Sequence, residues 1–345
     1  MKSLLRYLAR PINLLWLVLL VAAVWALDYL PIKEIWLTLR GLNPLDLGLW
    51  LALNLFILFV LCSRWWWIIR LQGYRRPFMR LAAYRLFGFS VSYFSPGTQF
   101  GGEPFQVYYL EKREGIPRGE ALASVTLDKL FELLSNFTFL AVGTLFILNR
   151  DISVNNLSRG WMTTLVVGLL LLPLVYMFLL WLGRHPLTWL ASRLPAQLKQ
   201  RSIRGSIQPL VTAAEVRISF LLRHKPIGIV GVFLLSGLIW AFFILEYWYM
   251  LSILGTNPAI KDAVSGLTAA RLSFLAPIPG GFGALEASQV LAVKWMGLGT
   301  AVGISASLLI RARDVTLGLV GFSLGSLFSR SRIDDRSPSP YGDIT

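Results

Sequence analysis

The stretch "SYFSPGTQFGGEP", residues 92–104, sets two prolines, three glycines and the ionisable Glu103 between apolar flanks. Residues 273–286, "SFLAPIPGGFGALE", repeat the order: Ser, two apolar residues, Pro, Gly-Gly and then Glu286. Proline halts helix propagation, and glycine admits turns and close backbone approach. Each stretch therefore reads as a break between two helical segments, and its surroundings decide what the break is for.

Those surroundings are strongly apolar. Hydrophobic residues make up 55% of the 345 and charged residues 15%, with a mean hydropathy of +0.62. Soluble domains carry about 25% charged residues, so a membrane protein is expected. Runs of spanning length fall at 12–30, 45–62, 121–148, 161–182, 227–254 and 301–328. The two broken stretches lie within further apolar segments, 81–110 and 263–298, each read as a re-entrant hairpin, with a pair of short crossing helices as the alternative. The expected fold class is all-α: a polytopic membrane protein of about six spanning helices plus two Pro/Gly-broken re-entrant hairpins (or eight spans). Lys2, Arg6 and Arg10 ahead of the first apolar run imitate a secretory signal. The run is longer than a usual signal core and is followed by Asp28 and Tyr29 rather than a small-residue cleavage site, so an uncleaved first helix is expected.

Alternating six spans from an inside start, with each broken segment returning to its own side, places most of the 33 Lys and Arg on inside segments. That is the positive-inside pattern, and it puts both termini in the cytoplasm of a plasma (inner) membrane. The longest inside segment, 184–225, holds eight Lys or Arg and one acid, Glu215. Within it Ile207, Leu210, Val211, Ala214, Ile218, Leu221 and Leu222 recur at helical spacing, with Glu215 and Arg217 off the stripe. One reading is an amphipathic helix on anionic inner-leaflet lipids; the other is a basic loop that only fixes topology. No aromatic-basic reading module accompanies the charge, so nucleic acid is not an expected partner. Residues 329–345 read as a disordered cytoplasmic tail. Cys62 stands alone, and His185 and His224 show no ligand spacing, so neither a disulfide, a metal nor a cofactor is expected.

The repeat extends past the breaks. Ser92 is followed by "SVTLDKLFELL" (124–134) and Ser273 by "SLLIRARDVTL" (307–317), both apolar helices with a charge cluster. Three crossings separate the copies, which would invert the second relative to the first, giving half-units at about 45–148 and 227–328 within one transmembrane domain, 1–328. Arg80, Arg85, Lys112 and Arg113 bracket the first copy, against Lys261 and Lys294 for the second. Paired Gly/Pro-interrupted segments in inverted halves point to a transporter's binding site. Irregular backbone survives at membrane depth only where protein or a water-filled cavity satisfies it. Gly97, Gly101, Gly102, Gly280, Gly281 and Gly283 permit the turns, while Pro96, Pro277 and Pro279 end the half-helices. Glu103 and Glu286 either cap the freed amides or meet a substrate cation.

Inside the expected membrane region, spans and broken segments together, fall Glu103, Asp128, Lys129, Glu132, Glu246, Arg271, Glu286, Arg311, Arg313 and Asp314. One such cation at mid-bilayer costs about 2.5–3.5 kcal/mol, so pairing or an aqueous groove must offset most of the total. Asp128 and Glu132 share a helical face, and Lys129–Glu132 and Arg311–Asp314 are spaced to pair. They either hold the halves together or form a polar path for a headgroup. Glu246, beside Tyr247, Trp248 and Tyr249, reads as part of the outer aromatic belt.

These residues carry a family resemblance. "PIPGGFGALEA" (277–287) closely resembles the Pro-x-Pro-Gly-Gly-x-Gly-x-x-Glu stretch of the lysylphosphatidylglycerol synthase transmembrane (flippase-like) family, which includes many bacterial inner-membrane proteins. "GGEPFQVYYL" (101–110) is similar to its first glycine-glutamate motif, "DKLFE" (128–132) to an acidic-basic helix signature, and "LLIRARD" (308–314) to a late Arg-bearing helix. The resemblance covers roughly 45–328. Gln106 departs from it, standing where many relatives carry Arg, so a phosphate contact is not carried over there.

The resemblance implies a lipid-translocating membrane unit. In the multidomain synthase a separate soluble domain performs aminoacyl transfer; none is read in this sequence, so enzyme activity is not expected. A flippase moving a phospholipid or lipid-linked amphiphile is the leading expectation, without an ATPase of its own because no P-loop motif occurs. The alternatives are an intramembrane transferase acting on a lipid substrate, or a non-catalytic partner of a synthase or glycosyltransferase. A homo-oligomer is a further possibility.

Overall fold

A computed structural model describes residues 36–37, 40–94, 101–148, 156–193, 204–275, 278, 281 and 283–330. The expected first span, 12–30, and the tail from 331 lie outside them. The described residues form eleven helices: α1 Pro44–Leu71, α2 Phe78–Phe94, α3 Glu103–Lys112, α4 Arg118–Leu148, α5 Asn156–Trp181, α6 Pro186–Ser192, α7 Arg204–His224, α8 Pro226–Ile253, α9 Ile260–Ser273, α10 Ala284–Trp295 and α11 Thr300–Arg330. The protein is an all-helical, multi-pass membrane protein.

Its polarity is inverted relative to a soluble domain. Leu45, Leu49, Leu51, Leu55 and Phe59 of α1 face outward, as do Ile227, Val230, Phe233 and Leu234 of α8. Arg64, Asp128, Glu246 and Asp314 are buried. In water such a surface would be one large apolar patch; in hydrocarbon it is matched to its solvent. Among the described residues four helices are long and apolar enough to cross a membrane: α1, α4, α8 and 160–181 of α5. These coincide with four of the six expected spans. The sixth, 301–328, is the 31-residue α11, long enough to cross but carrying Arg311, Arg313 and Asp314 at its centre.

Local chemistry sets the ends. Asn43 caps α1, its Oδ1 accepting from Leu45 N at 3.1 Å, and Pro44 occupies the first turn, where a missing N–H costs nothing. Helix α1 then runs nine residues beyond the expected end at Cys62. Each broken segment gives two helices below the ~20 residues a crossing needs: α2 and α3 with 17 and 10, α9 and α10 with 14 and 12. The members of each pair pack on one another.

The most extensive helix pairing joins α2 to α11. Glycine makes it close: a Cβ on Gly321 would collide with the Leu86 carbonyl and Ser90 Oγ. Ser90 Oγ donates to Gly318 O at 2.7 Å across the same seam.

Helix α7 corrects one expectation. The apolar stripe exists, but Ala214, Ile218, Leu221 and Leu222 are buried against Ile68, Leu127 and Leu180, so it faces the bundle rather than a leaflet. Glu215 is likewise buried rather than off the stripe. It accepts from Leu187 N and Thr188 N, both at 2.9 Å, from Thr188 Oγ1 and from Tyr176 OH at 3.0 Å. A carboxylate thus satisfies the first turn of α6 and joins it to α5 and α7. Glu215→Gln should lower stability by about 1–3 kcal/mol by leaving some of these donors unmatched, seen as a fall in the unfolding midpoint of the detergent-solubilised protein. An unchanged midpoint would remove the latch.

Candidate functional site

Helices α1, α2, α3, α4, α8, α9 and α11 converge on a cavity of about 280 Å³. Apolar residues such as Ile57, Leu61, Val125 and Ile310 form part of its wall, and charged groups form the rest.

Asp128 of α4 is the hub of the first cluster. Its Oδ1 accepts from Arg64 Nε at 2.8 Å and its Oδ2 from Arg85 Nη1 at 2.5 Å. Glu132, one turn on, lies 3.9 Å from Arg64 and 3.7 Å from Arg85. Lys129 Nζ donates to Glu132 at 2.9 Å and sits 3.3 Å from Glu103. Three cations and three carboxylates therefore form one connected network joining α1, α2, α3 and α4. Arg64 also donates to Ser236 Oγ of α8 at 3.2 Å.

A second cluster also lines the cavity. Arg313 of α11 donates from Nε to Asp314 Oδ1 at 2.8 Å and from Nη1 to Glu246 Oε1 at 3.4 Å. Asn54 bridges this group, donating to Glu246 Oε1 and accepting from Arg313, both at 3.3 Å. Arg271 of α9 lies near both clusters without a direct ion pair to either. Its guanidinium carbon lies 4.3 Å from the Phe243 ring centre and 5.1 Å from that of Trp240, a cation–π platform.

The two breaks share a device. Gly101 N donates to Glu103 Oε2 at 2.8 Å, and the other Glu103 oxygen faces Lys129 on the long helix downstream. Gly283 N donates to Glu286 Oε2, also at 2.8 Å, and the Glu286 carboxylate takes a two-pronged bond from Arg311. Arg311 Nη2 also reaches Gly281 O at 3.1 Å. Both glutamates thus cap freed amides and hold a protein cation. Gly283, at φ 80°, has a conformation that favours glycine. Gly102 is needed for another reason: a Cβ there would strike the Gly88 backbone, and its N–H donates to Ser92 Oγ at 2.9 Å.

Of the residues singled out in the sequence, Glu103, Asp128, Lys129, Glu132, Arg271, Arg313 and Asp314 line the cavity. Gly101 and Gly102 form the turn beside it. Glu286, Arg311, Gly281 and Gly283 form their own group, not part of the cavity lining but joined to it where Arg311 meets Tyr93. Pro96, Gly97, Pro277, Pro279 and Gly280 lie outside the described residues. The expected Lys129–Glu132 pair is present, whereas Arg311 turns to Glu286 and Asp314 to Arg313.

Three charges were misplaced from the sequence. Glu246 is 2% exposed and lines the cavity rather than an aromatic belt. Arg64 lies beyond the expected end of the second span at Cys62 but falls inside α1. The apolar run Trp65–Ile69 beyond it is the signal that the helix continues and that Arg64 is internal. Arg85, taken as a flank, is surrounded by apolar residues on α2 and reaches inward to Asp128.

A profile for the Lysylphosphatidylglycerol synthase TM region matches residues 6–321. The chain belongs to this family. Two UPF0104 membrane proteins of Methanothermobacter thermautotrophicus are 22% and 23% identical to it, each over 79% of this chain and over 82% and 80% of their own lengths. A UPF0104 membrane protein of Methanocaldococcus jannaschii is 30% identical over 127 residues, 36% of this chain and 37% of that protein. These relatives are archaeal, so family membership supports a multi-pass membrane location without the bacterial assignment. No solved structure matches.

Proposed function

We propose that this family member is a transporter that moves a lipid or lipid-linked amphiphile between leaflets, without ATPase activity of its own. The observation that carries the reading is the charged cavity set among outward-apolar helices beside a broken segment. A headgroup in transit needs a polar route, while its acyl chains can stay in lipid. The matched Gly–Glu–cation device supports two equivalent halves, about 45–148 and 227–328. In this reading they are inverted, their breaks are re-entrant, and rocking of one against the other exposes the cavity alternately.

Reconstitution tests it. Proteoliposomes with an acyl-labelled fluorescent phospholipid should show protein-dependent loss of the inner-leaflet label when a membrane-impermeant quencher is added outside. Leu61→Trp, which fills part of the cavity, should slow this at least several-fold with the protein still monodisperse. Equal rates in the variant and the wild type would remove the cavity from the route. The Glu286–Arg311 group, which touches the cavity wall at Tyr93, gives a second check. Glu286→Gln should slow transport by loosening the second break, without preventing insertion.

A further inference from the structure

The charges of the cavity do not cancel locally. Arg64, Arg85 and Lys129 balance Asp128, Glu132 and Glu103 within one connected network. Arg313 faces two carboxylates, Glu246 and Asp314, leaving that cluster one negative charge in excess. Both of Glu246's bonds go to Oε1, so its Oε2 has no partner among the described residues. Arg271, on the same cavity wall, stacks on aromatic faces and forms no direct ion pair among the described residues, while Asp314, Glu132 and Glu246 lie near enough to act on its charge. A guanidinium with no direct carboxylate contact and a neighbouring pair of carboxylates that share one hydrogen-bonded cation therefore face one small volume.

We infer that the cavity is built for a zwitterionic phospholipid headgroup, its phosphate on Arg271 and its primary ammonium on Glu246 and Asp314. This deepens the transport reading and rests on it. A guanidinium offers forked donors suited to phosphate oxygens, and the Phe243 and Trp240 faces hold its plane in place. The carboxylate oxygen left open on Glu246 calls for a hydrogen-bond donor, which an ammonium supplies as a charged N–H and a glycerol headgroup only as a neutral O–H. A purely anionic headgroup would satisfy Arg271 and leave the Arg313 cluster uncompensated. A zwitterion neutralises both ends, and the cavity is already neutral in total, so no net charge is moved into the membrane core.

The test separates headgroup choice from transport. Native mass spectrometry of the purified full chain, equilibrated with equal amounts of phosphatidylethanolamine and phosphatidylglycerol of matched acyl chains, should show the former retained about tenfold more, the factor expected for one charge-assisted contact. Glu246→Gln should bring the two lipids close to parity, and Arg271→Gln should reduce retention of both, with Arg271→Lys in between. Equal retention, or preference for phosphatidylglycerol, by the wild-type protein would overturn the inference and needs no variant to fold. Parallel flip assays distinguish the two levels. Selective retention with no movement of either lipid would remove transport and leave the headgroup site. Movement of both lipids at one rate, with equal retention, would remove the site and leave transport.

Discussion

Asp128→Ala is expected to be the most damaging single change in the chain. It would strand Arg64 and Arg85, whose side chains are 2% and 11% exposed, with Glu132 as the nearest remaining carboxylate. Removing one partner of a buried ion pair costs about 3–5 kcal/mol, because a charge stays behind without compensation. Here two stay behind, and the Arg64 bond to α8 loosens with them. Little monodisperse protein should survive extraction, and what does should melt well below wild type. The whole network is worth less than this breakage suggests, since apolar replacements of buried ion groups are often neutral. Arg64→Met, Arg85→Met and Asp128→Leu together should therefore recover part of the lost stability while removing the polar wall. A triple variant no better than Asp128→Ala would show that shape, rather than stranded charge, sets the cost.

Gly102→Ala should have the next largest effect. One methyl group is a small change, but the atoms it would meet are the Gly88 carbonyl and its neighbours on α2. Main chain cannot rotate aside as a side chain can, so α2 and α3 must separate. Overpacking of this kind costs about 1–3 kcal/mol and occasionally more. Separation would also pull Gly102 N from Ser92 Oγ and tilt Glu103 away from Lys129. Gly48→Ala, where nothing lies within reach of the added carbon, is the matched control. Equal melting temperatures for the two variants would falsify the account of the first break as a main-chain contact.

Much of this was legible in the sequence because hydrocarbon is a strict solvent. Four of the six expected spans return as long apolar helices with ends displaced by a few residues, apart from the late end of α1. The breaks were visible because Pro and Gly act locally. Their second role was not, since nothing in "GGEP" shows that Gly102 rests on Gly88, which lies on another helix. Individual charges were visible too, but pairing is a tertiary property. Spacing suggested Arg311 with Asp314, yet Arg311 reaches Glu286, 25 residues earlier, and Asp314 takes its immediate neighbour Arg313. The span end at Cys62 leaves Arg64 out of the membrane, and Glu246 reads as interfacial, because each sits near a feature that imitates a membrane boundary. The stripe on α7 was found correctly, but its partner could not be, because an apolar face is the same whether it meets lipid or another helix.

Glu103 divides its two oxygens between distant parts of the chain, one to Gly101 at the bend and one to Lys129 on the long helix. The bend and α4 are thereby geared together through a single carboxylate. If the bend unwinds, the hold on Lys129 slackens, and if α4 slides or rotates there, the strain arrives at Gly101. A ligand that draws Lys129 toward itself would release this clasp from the cavity side, so occupancy of the pocket and opening of the bend become two ends of one lever.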